Sequence, residues 1–193
     1  MKIAHSAIAA ALGLAFCGAA FAQAGTVQRD VNQQQRIEQG LKSGQLTTRE
    51  ASQLEREEGR VERDQARAMQ DGKLTPAEKA RLAREQNRVS RDIYRDKHNA
   101  QTGDPNSASS QRMQADVQRN INQQQRIEQG VKSGSLTNRE TARLEHGESR
   151  INRAEARAGA DGKVGPREQR RIQKAENRES RRIYREKHDA QSK

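Results

Sequence analysis

The chain has 193 residues and a formal net charge of +11, with 31% apolar residues, two Phe, two Tyr and no Trp. So little aromatic and apolar material excludes a large core, and a lone cysteine excludes a disulfide framework and thiol-based metal sites. The basic excess points to polyanions or to a solvated surface; it carries no information about fold.

Residues 1–22 hold Lys2, an apolar run from Ala7 to Phe16 and the small-x-small triplet Ala20-Phe21-Ala22. That pattern predicts a cleaved secretory signal peptide, and hence a periplasmic or secreted protein. No later stretch approaches the roughly 18 apolar residues of a membrane span, so the mature chain is expected to have no transmembrane segment. Leu14-Ala15-Phe16-Cys17-Gly18 resembles a bacterial lipobox, but the large Phe16 stands where lipoboxes carry a small residue, which argues against a lipoprotein.

From Val27 to Gln101 the chain recurs as Val117 to Gln191, with 44 of 75 aligned positions identical. This is a tandem duplication. It divides the chain into a first helical repeat (23–101), a linker (102–114) and a second repeat (115–193). The linker contains Gly103-Asp104-Pro105-Asn106-Ser107, a composition expected of a flexible connection.

Each repeat reads as three helices, so the predicted fold class is all-α. The first helix is expected over about Val27–Gln39. The second runs over about Thr47–Met69, with Ala51, Leu54, Val61 and Ala68 at helical spacing. The third runs over about Pro76–His98, with Leu82, Val89 and Ile93 inward. Four corners join or begin these helices. Thr47 with Glu50, Thr75 with Glu78 and Thr137 with Glu140 satisfy the capping-box pattern, in which a cap hydroxyl and a glutamate three residues on serve each other's backbone N–H groups. The fourth corner keeps Pro166 and Glu168 but has Gly165 in place of the threonine. Glu58, and Glu148 in the second copy, falls on the apolar side of its helix; the spacing predicts a partly exposed acid paired with Arg36 or Arg126.

The corners Asp71-Gly72-Lys73-Leu74-Thr75-Pro76-Ala77-Glu78 and Asp161-Gly162-Lys163-Val164-Gly165-Pro166-Arg167-Glu168 resemble the later half of the EF-hand calcium loop. The resemblance implies paired helix-loop-helix units, with Asp71, Glu78, Asp161 and Glu168 as its only candidate metal ligands. The first and third loop positions, where that family places oxygen ligands, are Arg67 and Met69, then Arg157 and Gly159. Calcium takes six to eight oxygens, so these are degenerate loops that keep the turn, and no metal or cofactor is expected.

The outer side of the third helix aligns Asn87, Arg88, Arg91, Tyr94, Arg95 and His98, repeated as Asn177, Arg178, Arg181, Tyr184, Arg185 and His188. Arginines beside a tyrosine suit phosphate and sulfate groups. Arg88, Arg91, Tyr94 and Arg95, then Arg178, Arg181, Arg182, Tyr184 and Arg185, are therefore the candidate polyanion-binding residues. The second copy has the larger basic excess, 18 Lys and Arg against 11 Asp and Glu, compared with 16 against 13 in the first. No nucleophile elbow, phosphate-binding glycine loop, HExxH or Cys/His cluster occurs. The sequence thus favours a non-enzymatic exported protein that binds an anionic polymer or membrane surface, with nucleic acid an incidental ligand. The alternatives are a structural module that docks a partner protein and a weak divalent-metal binder.

Overall fold

A computed structural model describes residues 15–189 as an all-α protein; among the described residues there are six helices and no strand. Most of the expected signal segment, residues 1–14, lies outside them. The helices are α1 (Ala15–Ser43), α2 (Thr48–Ala68), α3 (Pro76–Lys97), α4 (Ala108–Ser133), α5 (Asn138–Ala158) and α6 (Pro166–His188).

The corners are built as their residues require. In the first, the Glu50 N–H donates to Thr47 Oγ1 at 3.1 Å while the Thr47 N–H donates to Glu50 Oε2 at 2.9 Å. Thr75 with Glu78 and Thr137 with Glu140 repeat both bonds. At the fourth corner only the second half survives, the Gly165 N–H donating to Glu168 Oε2 at 2.8 Å, because glycine has no hydroxyl to return. Gly44, Gly72, Gly134 and Gly162 have φ between +73° and +90°, the left-handed region in which L side chains are strained.

Two expectations need correction. The first helix extends well beyond Val27 toward the N-terminus. The proposed linker is half helix: α4 starts at Ala108, and Ser107 caps it by accepting from the Ser110 N–H at 3.2 Å. The Ser-rich stretch is therefore a helix start, and Met113, fully buried, joins the core with Val117. The remaining connection is pinned as well, since the Gly103 N–H donates to Gly44 O at 2.8 Å and Ser109 Oγ accepts from the Val164 N–H at 2.7 Å.

The two copies pack against each other rather than hanging on a tether: α2 lies along α5 and α1 along α4. Equivalent positions meet, as they must beside a two-fold axis. Ser149 Oγ donates to Gly59 O at 2.8 Å, and Asn152 Nδ2 donates to Glu62 Oε2 at 3.0 Å. Gly59 eases the close approach of the two helices there, because a Cβ at that position would stand 3.1 Å from Ser149 O. The corners interlock reciprocally: Arg49 donates to Asp161 O at 3.1 Å, and Arg139 to Asp71 O at 3.5 Å.

The shared core is only partly apolar. Ile37, Leu54, Val61, Ile93, Val117 and Ile151 belong to one cluster spanning both copies, and a seam of buried carboxylates and amides runs beside it. Gln34 donates to Glu55 at 2.9 Å; Gln124 donates to Glu62 at 2.9 Å and to Glu145 at 3.3 Å. Asp30 accepts from Gln65 at 2.7 Å, whereas in the second copy the acid and the amide have traded places and Asn120 donates to Glu155 at 2.8 Å. The exchange preserves one donor and one acceptor, which is what burial demands.

Candidate functional site: an arginine-lined groove on the second copy

The third helix of each copy turns Leu82, Val89 and Ile93, or Ile172 and Ile183, toward the core. The opposite side is therefore solvent-facing. Asn87, Arg88, Arg91, Tyr94, Arg95 and His98 are all exposed, as are Asn177, Arg178, Arg181, Tyr184, Arg185 and His188. Tyr94 stacks on His98 with ring centres 4.1 Å apart, and Tyr184 on His188 at 4.2 Å.

Beyond that common stripe the copies part. In α3, Arg95 is held by Asp92 and, at 3.0 Å, by Asp96. The Glu57 carboxyl of α2 faces Asp92; burial, then the Asp92 charge, push Glu57 up to about 7. In the second copy the position of Asp92 is Arg182, on α6, and that of Glu57 is Gly147, on α5. Arg178, Arg181 and Arg185 enter no ion pair among the described residues. The result is a groove of about 870 Å³ lined by Arg126, Arg150, Arg178, Arg181, Arg182 and Arg185, with Tyr184 at its edge. Its floor, with Gly147 and Ile151, includes one acid. Glu179, where copy one has Val89, is 6% exposed and accepts from Arg182 Nη1 at 3.2 Å. A Cβ on Gly147 would come within 2.2 Å of the Glu179 carboxyl carbon, so the acid fills the space the glycine leaves.

The sequence placed Arg178, Arg181, Arg182, Tyr184 and Arg185 at one site, and they do line one groove. It missed Arg126, Arg150, Gly147 and Glu179. Alignment of the two copies holds the signal, because Glu57/Gly147, Val89/Glu179 and Asp92/Arg182 are all differences at one place.

The EF-hand-like loops place their acids elsewhere. Asp71 Oδ1 accepts from the Lys73 N–H at 2.8 Å and Asp161 Oδ1 from the Lys163 N–H at 2.9 Å. Glu78 and Glu168 are turned back onto their caps. One other acidic group, Glu140, Glu186 and Asp189, brings its oxygens within 4.8 Å of one another. Arg143, where copy one has Gln53, supplies countercharge there at 2.9 Å from Glu186.

Glu58 and Glu148 correct the expectation of a partly exposed acid pair. Both are fully buried, and neither carboxylate has a hydrogen-bond partner among the described residues. Burial first, then neighbouring acids, hold both well above the usual carboxylate range, against the opposing charges of Arg36 and Arg126. Burial likewise raises Asp30, Glu55 and Asp116 to about 7 and Glu176 to about 8. The charged groups around each acid come from its own copy, Asp30 and Arg36 of α1 beside Glu58, and Arg126 of α4 with Glu176 and Glu179 of α6 beside Glu148, so it is the helices packed on α2 and α5 that close over them.

Compared with protein-family models, curated proteins and solved structures, the chain matches none.

Proposed function

We propose that this is a non-enzymatic, exported binding protein whose second copy holds an anionic ligand of the cell envelope in the α6 groove. The observation that carries the reading is the convergence of six arginines on one concavity. Guanidinium groups keep their charge at any physiological pH and bind sulfate, phosphate and carboxylate groups through paired N–H donors. Three of them, Arg178, Arg181 and Arg185, have no protein carboxylate to neutralise them among the described residues. A ligand anion therefore meets donors that are not already committed.

Binding of this kind weakens as salt rises. Replacing Arg178, Arg181 and Arg185 together by Gln should abolish most retention on immobilised heparin, while the same change at Arg88, Arg91 and Arg95 should cost little. Equal retention of both variants and the parent would overturn the reading, and specific capture of an envelope protein unaffected by salt would favour a protein-docking role.

A further inference from the structure

Resting on that reading, we propose that Glu179 makes the groove select a hydroxyl-bearing polyanion, an acidic saccharide, over a bare polyphosphate. A site built only to attract negative charge has no use for an acid in its floor, and Val89 of the first copy shows that the helix accommodates an apolar residue at this position. Glu179 is nonetheless buried against Gly147, with one oxygen held by Arg182 and the other, Oε1, without a hydrogen-bond partner. A buried acceptor left unpaired costs free energy, and a ligand that supplies a donor recovers it.

The charged groups around that oxygen are known. Burial, the largest influence, raises the Glu179 carboxyl above its ordinary range, Arg182 of α6 and Arg150 of α5 oppose that rise, and Glu186 of α6 adds to it, while Glu179 in turn raises Glu148. The rim arginines would hold the ligand's anionic groups while the floor accepts its hydroxyl. Acidic saccharides carry both within one residue, whereas polyphosphate carries no hydroxyl donor along its chain. Tyr184, 59% exposed at the edge, offers a flat apolar ring to a sugar face. The groove volume falls in the range of ordinary small-ligand sites, about 300–1,000 Å³. Sites that pair a buried polar group with a ligand hydroxyl discriminate strongly against ligands lacking it.

The test is titration calorimetry of the full mature chain with a heparin-derived hexasaccharide and with inorganic polyphosphate of matched charge, at low and at raised salt. The hexasaccharide should bind at least about tenfold more tightly. Glu179→Val should erase that preference, weakening the saccharide and strengthening polyphosphate, while Glu179→Gln, which keeps an acceptor, should retain it. Far-ultraviolet circular dichroism establishes that both variants are folded. If polyphosphate binds as well as the saccharide, or if Glu179→Val tightens both, the role of Glu179 is overturned and the arginine groove stands. If neither probe binds in a salt-sensitive way, the groove reading falls with it.

Discussion

In α3, Arg95 lies between Asp92 and Asp96, and Glu57 of α2 fills the surface beside them; in the second copy the same positions are Arg185, Arg182 and Glu186 of α6 and Gly147 of α5, and the surface is hollow. The helices share a proline and a capping glutamate in their first turn, a buried isoleucine and an exposed tyrosine. What separates them is three differences at one place, Glu57/Gly147, Val89/Glu179 and Asp92/Arg182, all changing charge and one of them also removing a side chain. Net charge per copy anticipated the direction of this difference but not its form. The difference teaches that the same basic stripe takes a different form when the acids beside it, Glu57 and Asp92, are replaced and a side chain is removed: a concavity opens next to its arginines.

The seam sets the limit of that comparison and should give the largest effect. Its carboxyls are raised by burial, so the folded chain keeps protons that the unfolded chain releases above about pH 4–4.5. Stability is therefore complete below that range and is lost as pH climbs through about 7–8, where Asp30, Glu55, Asp116 and Glu176 titrate. The melting temperature should fall by roughly 10 °C or more between pH 5 and pH 8. Because both copies line the seam, the loss should come as one transition. A melting temperature that stays flat or rises over this interval contradicts the buried seam, and two separated transitions contradict the shared core.

A smaller effect would sharpen the contrast between the surfaces. Transferring the second copy's residues to the first, as Glu57→Gly with Asp92→Arg and Asp96→Glu, should remove the Asp92 partner of Arg95, open the surface beside it and raise heparin retention, with an affinity gain of about tenfold in low salt. No gain at any salt concentration would mean that Glu57 and Asp92 are not what closes the first copy's face.

The smallest effect concerns the corners. Thr75→Ala removes a hydroxyl that serves the Glu78 N–H and should cost on the order of 1 kcal/mol. Gly165→Thr supplies the missing half of the fourth box and should stabilise by a comparable or smaller amount, read as a rise in the urea midpoint. Gly165 has φ −82° and ψ 162°, a conformation open to threonine, so no backbone strain opposes the change.

Much of the fold was legible because its signals are local. A threonine followed by glutamate at the third position fixes a helix start whatever surrounds it, and the stripe of Leu82, Val89 and Ile93 fixes which side goes inward. The linker was misread because Ser107-Ala108-Ser109-Ser110 has the composition of a loop and also the chemistry of a cap. Only the packing of Met113 decides between them. Glu58 was misread for a non-local reason: its burial depends on α1, which brings Asp30 and Arg36 beside it, and periodicity within one helix does not report what faces it. One long-range trace was present in the sequence all the same. Asp30 with Gln65 becomes Asn120 with Glu155, an exchange that makes sense only for side chains in contact. The groove's arginines on α6 were legible as a stripe, whereas Arg126 and Arg150 come from α4 and α5 and needed the tertiary structure.

The meeting of Gly59 with Ser149 and of Glu62 with Asn152 has a historical consequence. A surface that pairs with its own duplicate is the surface of a homodimer, so a chain holding one copy would find its partner in a second molecule. Two identical chains are bound by symmetry to carry two grooves or none, and any residue that suits one half must suit the other. Joining the halves in one polypeptide removes that obligation. Position 147 can then lose its side chain while position 57 keeps one, and the groove beside α6 can form without a matching change beside α3.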